Sequence, residues 1–404
     1  MASETVEIRG RLMDTPILAQ ILNTITDHGA EFEIVEFRVA ARRDEESWVH
    51  VRVTASDEPK LAALLDQISQ RGAAVLDPED VSTEKVAEDG LVPEQFYCTT
   101  RLPTQVRANG HWIDVAGVTV GCAVRVDTAR QQALAVPVHH VKKGTRIAVG
   151  RTGIRVQQPR LPSGGLAALA GTPLSQEKAR APMIIRIAEE MRAVKRRSGR
   201  ILLVAGSAVV TTGAGRYVER MIEKQFVDVL FAGAEMAAHD IEFALFGTAM
   251  GVYVTEDLPA AYGYQNHMRA INALRVAGGI RPLVERQQVT SGIMRACVTS
   301  NVPYVLAGSV CDEAPIPDTL CDVMAARDRM WEASQGVELA LMVGTMQLSQ
   351  AAISLLPAQV TCVCVDVSTY GLNRLSQRAG PSFVGLVASA ESFLSELARN
   401  LGAW

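Results

Sequence analysis

The sequence predicts an α/β protein made of a ferredoxin-like α+β unit, a small antiparallel β domain and a Rossmann-like parallel-sheet domain. Three observations support this prediction. Residues 1–94 follow the order β-α-β-β-α-β of a split βαβ unit. Residues 95–158 contain short β segments separated by glycine turns. Residues 176–404 alternate helices with continuous apolar runs, the pattern of a parallel sheet covered on both faces.

The N-terminal unit is indicated by alternating apolar and polar residues in its strands and by the signals that end its helices. Two helices are expected to end at Asp27 and Gln70, each followed two residues later by a glycine. Alternation predicts strands with one buried and one exposed face. The expected strands are Thr5–Arg11, Glu31–Val39, Trp48–Ala55 and Ala73–Leu76.

The middle segment is expected to form a small barrel or sandwich. Asn109-Gly110 is a strong signal for a tight hairpin turn between two strands. The expected strands are His111–Val115, Val118–Val126, Ala133–Pro137 and Arg146–Gly150. Prolines and glycines then dominate residues 159–175, which we interpret as a linker to the next domain.

The C-terminal domain opens with an amphipathic helix over Pro182–Arg197. The basic last turn of this helix is interpreted as a solvated end that suits the helix dipole, with an anion site as the alternative. Short apolar runs predict buried parallel strands. They are Ile201–Ala205, Val227–Phe231, Pro303–Leu306, Leu339–Val343, Thr361–Val365 and Phe383–Leu386.

Composition limits the classes of function. The net charge of -4 does not favour nucleic acid or a membrane surface as a partner, and no apolar run is long enough for a membrane span. The seven cysteines are odd in number and contain no C-x-x-C pair, so we expect reduced thiols, a cytoplasmic protein and no bound metal. Cys362 and Cys364 should face the same side of their strand.

The ends of the apolar runs indicate a dinucleotide site, because ligands of open parallel sheets bind at the carboxyl ends of the strands. Gly206 and Gly233 each follow a strand, and Gly344 is followed by Thr345, Met346 and Gln347. Small residues at these turns would let backbone N–H groups approach a pyrophosphate. Asp366 ends another strand, where a carboxylate commonly binds an adenosine ribose. The loop after Gly206 does not match G-x-G-x-x-G, and a plain turn is an equal alternative there.

Two clusters of polar residues could supply acid–base chemistry. His239, Asp240 and Glu242 fall within one helical turn, and His239 and Glu242 share a face. This spacing could place an acid–base pair on a cleft wall, or it could belong to a capped helix start. A metal is not expected there because no third ligand of suitable spacing follows in the sequence. His267 and Arg269 lie at the start of a later helix, and Arg269 could bind a substrate carboxylate or form a surface ion pair.

A third candidate follows the strand Pro303–Leu306. Asp312 lies in a proline-rich acidic loop, where it could face a nicotinamide or substrate, or simply cap a turn. The adjacent Cys311 has no evident histidine partner and is not expected to be a nucleophile.

Several ordered segments together resemble the archaeal-type ornithine cyclodeaminases, which share the lysine-oxoglutarate reductase/saccharopine dehydrogenase (LOR/SDH) conserved region. The same region forms the C-terminal part of a cyanobacterial arginine dihydrolase/ornithine cyclodeaminase. The resemblance covers nearly the whole chain. The matching segments are Val6–Gly10, Phe96–Thr100, Val141–Gly144, His239–Glu242, Arg269–Asn272, Thr290–Met294 and Val363–Asp366.

The resemblance implies an NAD-binding domain similar to that of deoxyhypusine synthase. It also implies conversion of L-ornithine to L-proline and ammonia by transient oxidation, ring closure and re-reduction, in proline biosynthesis or arginine catabolism. The implied acid–base candidates are Asp312, His239 and Asp240, with Arg269 and His267 binding the substrate. The implied NAD contacts are Ala234, Glu235, Asp312, Thr345, Met346, Gln347, Leu348, Asp366, Ser389 and Ala390.

Two other functions stay open at this point: an NAD-dependent amino-acid or opine-type dehydrogenase that releases NADH, and a non-catalytic NAD or amino-acid sensor. The N-terminal unit resembles small regulatory modules that bind amino acids, which keeps the sensor in consideration. The expected partner is a small amino-acid substrate, with no nucleic acid or membrane. A homo-oligomer, dimer or tetramer, is also expected.

Overall fold

The structure is a computed structural model that describes the chain except residues 11, 13–16, 41–46, 70, 77–78, 158–179, 255–257, 261–262, 311 and 313–315. Two compact units, Met1–Arg160 and Leu161–Trp404, divide the chain. The predicted linker, 159–175, lies outside the described residues. In the part of the chain that the structure describes, no helix is both long enough and apolar enough to cross a membrane.

The first sheet of the N-terminal unit has the predicted split βαβ arrangement. Its strands lie in the order β2-β3-β1-β4 and its neighbouring strands are antiparallel. The central strand β3 places Val49, Val51 and Val53 against the apolar sides of both helices, which fixes the buried face. The elements are β1 Ala2–Gly10, α1 Ile17–Asp27, β2 Glu31–Arg38, β3 Ser47–Ala55, α2 Glu58–Ser69 and β4 Ala73–Val75.

The second sheet of this unit has seven strands in the order β11-β6-β7-β9-β8-β10-β5. They are β5 Ser82–Lys85, β6 Thr104–Ala108, β7 His111–Ala116, β8 Cys122–Asp127, β9 Gln132–Pro137, β10 Arg146–Val149 and β11 Ile154–Val156. The sheet is antiparallel as predicted, except that β7 and β9 are parallel. The expected strand Val118–Val126 is wrong in its first part. The carbonyl of Thr119 accepts from the Thr99 hydroxyl, and residues 118–120 form a loop between two left-handed glycines, Gly117 and Gly121.

The C-terminal unit contains a seven-stranded parallel sheet, as predicted. Its strands are β12 Arg200–Ala205, β13 Val229–Gly233, β17 Tyr304–Ala307, β18 Thr319–Leu320, β19 Val337–Val343, β20 Thr361–Asp366 and β21 Phe383–Val387. A small antiparallel sheet adds β14 Thr248–Ala249, β15 Val252–Tyr253 and β16 Leu258–Pro259. The six predicted strands are confirmed, and β18, of two residues, was too short to predict.

The helices of this unit cover both faces of the parallel sheet, which explains its continuous apolar strands. They are α3 Arg180–Arg196, α4 Ala208–Thr211, α5 Gly215–Glu223, α6 Ala234–Phe246, α7 Gln265–Ala277, α8 Ile280–Glu285, α9 Ile293–Thr299, α10 Val323–Ala333, α11 Met346–Leu355, α12 Thr369–Ala379 and α13 Ala390–Leu401. Cys362 and Cys364 both lie in the core on the α10–α12 face, as expected.

The strand order of the parallel sheet is β18-β17-β13-β12-β19-β20-β21. From β12 the chain moves outward in one direction through β13, β17 and β18, and then returns to add β19, β20 and β21 on the other side. The order therefore reverses between β12 and β19. In an open parallel sheet, the carboxyl ends of the two strands at this reversal form the crevice in which a ligand binds.

Candidate functional site

The crevice between β12 and β19 is lined by two closely packed glycine turns. The Gly206 N–H donates to the carbonyl of Val343 over 2.9 Å, and a Cβ added at Gly206 would collide with the carbonyl of Gly344. Gly344 has a φ of +65°, a left-handed conformation that glycine adopts without strain. Only glycines allow these two backbones to approach so closely, and the same absence of side chains lets a ligand approach the backbone.

Helix N-termini surround the same edge of the sheet. α6, α11 and α13 begin immediately after β13, β19 and β21, with Gly233, Thr345 and Ser389 as their N-cap residues. These strands are parallel, so the positive ends of the three helix dipoles lie at one edge. This arrangement suits an anionic group such as a pyrophosphate.

The residues predicted to contact the cofactor, other than Asp312, lie at this edge. Ala234 and Glu235 open α6, Ala390 opens α13, and Met346, Gln347 and Leu348 form the first turn of α11. Asp366 is the last residue of β20, where one carboxylate oxygen accepts from the N–H of Ser368 over 2.8 Å. Its position at a strand tip is the one from which a carboxylate can reach ribose hydroxyls.

A second set of polar residues surrounds a buried carboxylate on α6. Glu242 is fully buried, and its Oε1 accepts from the Thr248 hydroxyl over 2.8 Å and from the Gly251 N–H over 2.9 Å. Its Oε2 accepts from the Met250 N–H over 3.0 Å and lies 3.0 Å from Nδ1 of His267. Each carboxylate oxygen thereby has two close partners.

Two buried histidines face this carboxylate. Nδ1 of His239 lies 3.5 Å from Oε2 of Glu242, and the ring centroids of His239 and His267 are 4.7 Å apart. On the other side of its ring, Nε2 of His239 lies 3.3 Å from Oε1 of Glu235, in the first turn of α6. We call Glu235, His239, Glu242 and His267 the α6 cluster. Burial raises the pKa of Glu242, but the two nearby histidines, the Gly251 N–H and the Thr248 hydroxyl outweigh it and hold that pKa well below its usual value.

The α6 cluster corrects one step of the sequence reasoning. No third metal ligand was apparent near His239 in the sequence, but the structure supplies His267 from α7, and the ligand atoms of His239, Glu242 and His267 lie within 4.8 Å of one another. Both oxygens of the Glu242 carboxylate nevertheless already accept hydrogen bonds, two of which come from backbone N–H groups. The geometry therefore favours a hydrogen-bonded carboxylate over a metal ligand.

Asp240, a predicted acid–base residue, points to the other side of α6. Its two carboxylate oxygens accept from the backbone N–H groups of Ile293, over 2.9 Å, and Met294, over 2.8 Å, at the N-terminus of α9. Burial raises the pKa of Asp240 to about 7, against the lowering effect of these two N–H groups. These contacts join α6 to α9, and an acid–base role for Asp240 stays a prediction.

The other predicted site residues are dispersed. Asp312 closes a local turn, because its Oδ2 accepts from the Ser309 N–H over 2.7 Å. Arg269 is exposed on α7, with its guanidinium 4.5 Å from the centroid of the Phe246 ring and 3.3 Å from Oδ1 of Asn266. His267 is buried on the same helix. The structure thus brings His239 and His267 together, and separates both from the contacts made by Asp240.

The sequence indicated Glu242 only as a possible acid–base partner of His239, although it lies at the centre of the cluster. Its partners Thr248, Met250, Gly251 and His267 come from later segments, and only the i, i+3 spacing to His239 was visible in the sequence. A further signal was available in Met250-Gly251, a turn of two left-handed residues just after the helix. Such a turn exposes successive N–H groups to an anion.

The sheet order and its crevice define the chain as a Rossmann-type α/β protein. Residues 185–397 match the family described as arginine dihydrolase ArgZ-like, C-terminal, Rossmann fold. Residues 103–185 match the first region of that C-terminal part, and residues 3–102 match the LOR/SDH bifunctional enzyme conserved region. The chain belongs to the ArgZ-like C-terminal, LOR/SDH family, as the sequence resemblance indicated.

Similar proteins include two that are called ornithine cyclodeaminase. The one from Methanothermobacter thermautotrophicus is 36% identical, over 99% of this chain and 98% of its own, and the one from Methanopyrus kandleri is 38% identical, over 98% and 97%. The bifunctional arginine dihydrolase/ornithine cyclodeaminase ArgZ of Synechocystis is 32% identical, and the match spans 58% of it.

Solved structures agree with the fold. Apo ArgZ superposes with a TM-score of 0.85 at 30% identity, covering 99% of this chain and 58% of ArgZ. A LOR/SDH protein from Methanococcus maripaludis gives a TM-score of 0.75 at 34% identity, covering 80% of this chain and 98% of its own. AgrE, solved as a ternary complex with ornithine and NAD+, gives a TM-score of 0.55 at 30% identity, over 99% of this chain and 57% of AgrE.

Proposed function

We propose that this protein is an NAD-dependent ornithine cyclodeaminase, which converts L-ornithine or a close diamino acid to L-proline or its cyclic analogue and ammonia. The observation that carries the proposal is similarity along the whole chain to proteins called ornithine cyclodeaminase, with 98% of one relative covered. AgrE, which the chain also resembles, has been solved with both ornithine and NAD+.

The edge of the parallel sheet fits NAD. A side chain at Gly206 would fill the space beside Gly344, so the two glycines leave the backbone open to a pyrophosphate. The N-termini of α6, α11 and α13 offer N–H groups and positive dipole ends to its charge. Asp366 would accept hydrogen bonds from the adenosine ribose. When bound, NAD+ supplies a reversible acceptor for a hydride from the α-carbon.

The remaining chemistry falls to the side chains. One group must take a proton from the α-ammonium, and one must give a proton back when ammonia leaves. His239 is our first choice, with Glu235 beside it at the edge of the sheet. Arg269 and His267 are candidates to bind the substrate, Arg269 at its carboxylate. Asp240 and Asp312 remain further candidates for proton transfer, although both carboxylates already accept backbone hydrogen bonds.

An assay of cofactor turnover tests the proposal. The purified protein is incubated with L-ornithine and NAD+ at about one hundredth of the substrate concentration, while ammonia, proline and absorbance at 340 nm are followed. We expect ammonia and proline in equal amounts, many turnovers per NAD+ and no growing absorbance. NADH formed in proportion to product would indicate a dehydrogenase. NAD binding without turnover on ornithine, lysine and shorter diamino acids would indicate a sensor.

A homo-oligomer in the cytoplasm is part of the same proposal. The oligomer is supported by β2, an edge strand of the first sheet whose eight residues are all exposed, Phe32, Ile34 and Phe37 among them. Exposed apolar edge strands are normally covered by another chain or element. Light scattering coupled to gel filtration tests the oligomer, and a monomer at micromolar concentration would remove this part of the proposal.

A further inference from the structure

We infer that the α6 cluster is an enclosed proton store, in which His239 holds the proton and Glu242 is a positioning residue that stabilises the charged ring. The inference rests on the proposed function and deepens it. It assigns a role to Glu242, whose carboxylate is not needed to bind the substrate or the cofactor. Glu242 is fully buried, and His239 and His267 are each 1% exposed, so solvent does not reach the inner end of the cluster.

The proposed reaction requires a group that stores a proton. L-Ornithine with both amines protonated carries one positive charge, and so do the products, zwitterionic proline and ammonium. The proton taken from the α-ammonium to allow its oxidation is therefore needed again when ammonia departs. A group that accepts this proton, keeps it from bulk water and returns it to the same substrate meets that need without a net exchange of protons.

The order of the groups provides a path. Glu235 has a side chain that is 42% exposed and lies in the first turn of α6, at the edge proposed for the cofactor. Its Oε1 is 3.3 Å from Nε2 of His239. When the neutral ring carries its hydrogen on Nδ1, a protonated Glu235 can therefore pass its proton to Nε2. The ring then carries N–H on both nitrogens. Its Nδ1–H would point to Oε2 of Glu242, 3.5 Å away.

The resting state of His239 agrees with this role. Among the described residues, Nδ1 of His239 is a buried polar atom without a hydrogen-bond partner. An Nδ1–H at this position faces Oε2 of Glu242 over 3.5 Å, too far for a full hydrogen bond, and the positive charge that the ring gains at Nε2 would draw the two groups together. Catalytic hydrogen bonds of this kind are often long in a structure without ligand and shorten when the reacting species is present.

Glu242 is built to remain an anion beside this ring. Two backbone N–H groups and the Thr248 hydroxyl donate hydrogen bonds to it. None of these donors is acidic enough to transfer its proton to the carboxylate. Nδ1 of His267, 3.0 Å from Oε2, supplies a fourth donor. Because the His239 and His267 rings are only 4.7 Å apart, two charged rings would repel, and the cluster should store a single proton.

A double-mutant cycle tests the inference after the unmodified protein has been shown to turn over ornithine. Glu242→Gln should lower kcat about 100-fold, with KM for ornithine and Kd for NAD+ within about threefold. His239→Asn keeps an amide near the Nδ1 position and should lower kcat at least as much. Because Glu242 acts through His239, the double variant should be no slower than His239→Asn alone. Multiplied losses would overturn the inference.

The matched control is Asp228→Asn. Asp228 also accepts from a backbone N–H, that of Ile201 over 2.8 Å, and it pairs with Lys195 over 2.6 Å, but it precedes β13 at the opposite edge of the sheet. This variant should lose stability and keep kcat. A comparable fall in kcat would mean that Glu242→Gln acts through general loosening of the fold, and it would contradict the inference.

A measurement that does not depend on turnover separates this inference from the proposed function. Nitrogen-15 NMR of the histidine rings reports which nitrogen carries the proton. We expect Nδ1–H for His267, donating to Glu242, and a ring of His239 that carries Nδ1–H and gains Nε2–H on protonation in the unmodified protein. Both rings bearing only Nε2–H throughout the titration would end the inference, whether or not ornithine is a substrate. If Glu242→Gln does not fold, this titration and His239→Asn still decide the matter.

Discussion

Two carboxylates on α6, two residues apart and both buried, behave in opposite ways. Burial raises the pKa of Asp240 to about 7, and its partners are two backbone N–H groups of α9. Glu242 has a lowered pKa, because two histidines, a hydroxyl and backbone N–H groups together outweigh the effect of burial. Burial does not decide the state of a carboxylate by itself. The number and charge of its donors do.

The two carboxylates of α6 therefore have different roles, one structural and one chemical. Asp240 joins α6 to α9 and can do so with or without a proton, since both forms can accept a hydrogen bond. Glu242 is arranged to stay charged beside two imidazole rings, which is useful only if one of those rings changes its charge. The comparison predicts that changes around Asp240 alter stability and its pH dependence, whereas changes around Glu242 also alter turnover.

The largest effect is expected for Gly251→Ala. Gly251 has a φ of +76°, its N–H donates to Glu242, and a Cβ there would collide with the backbone of Gly263. We expect a loss of about 4 kcal/mol in the free energy of unfolding, or no folding, because left-handed strain and a backbone clash add. Denaturant unfolding measures it. A loss below about 1 kcal/mol would show that the turn holding Glu242 is loose.

The pH dependence of stability should reveal Asp240. Its folded pKa lies above the unfolded value, so its contribution is fully present below about pH 4 and is lost as pH rises to about 7. The stability difference between the unmodified protein and Asp240→Asn should therefore fall by about 3 kcal/mol over that range. Denaturant unfolding at a series of pH values measures this, with Asp228→Asn as the control. A difference independent of pH would show that Asp240 is ionised throughout.

Gly292→Ala is a milder test of the contacts around Asp240. Gly292 has a φ of +105°, and a Cβ there would lie 2.8 Å from Oδ2 of Asp240. We expect a loss of about 2 kcal/mol in the free energy of unfolding, since the carboxylate must shift away from the N-terminus of α9. The kcat of the surviving folded protein should change less than that of Gly251→Ala. The reverse order of the two kcat values would undermine the division between the two sides of α6.

The smallest effect is expected at the cofactor edge, away from both carboxylates. Asp366→Ala should weaken NAD binding about tenfold, or ~1.4 kcal/mol, by removing a charged hydrogen bond to the ribose. NAD should bind better than NADP to the unmodified protein, because a 2′-phosphate would be repelled by the carboxylate. Calorimetric titration gives both affinities. Equal affinity for NAD and NADP would remove this role from Asp366.

Much of the fold could be predicted because its signals are local. The six main strands of the parallel sheet are continuous apolar runs. In the N-terminal unit, apolar and polar residues alternate along the strands, and glycines follow the ends of the helices. The structure differs from the prediction where an element is very short or where a pairing depends on another segment of the chain. The strand β18 and the helix α4 have two and four residues, and the parallel pairing of β7 with β9 leaves no mark in either strand.

The candidate site divides in the same way. Gly206, Thr345 and Asp366 could be placed at one edge because each follows a strand, and parallel strands end together. The α6 cluster could not be assembled, because His267 is 25 residues from Glu242 and the backbone donors come from an intervening turn. Only tertiary packing brings these groups to one carboxylate.

The most direct test of the account follows the hydrogen on the α-carbon. L-Ornithine with deuterium at the α-carbon is converted by the unmodified protein with a small amount of unlabelled NAD+, and the proline is analysed by mass spectrometry and NMR. The account predicts that nearly all of the deuterium returns to the α-carbon of proline and that no NADH accumulates. Proline without deuterium, or deuterated NADH accumulating with an oxidised product, would contradict it.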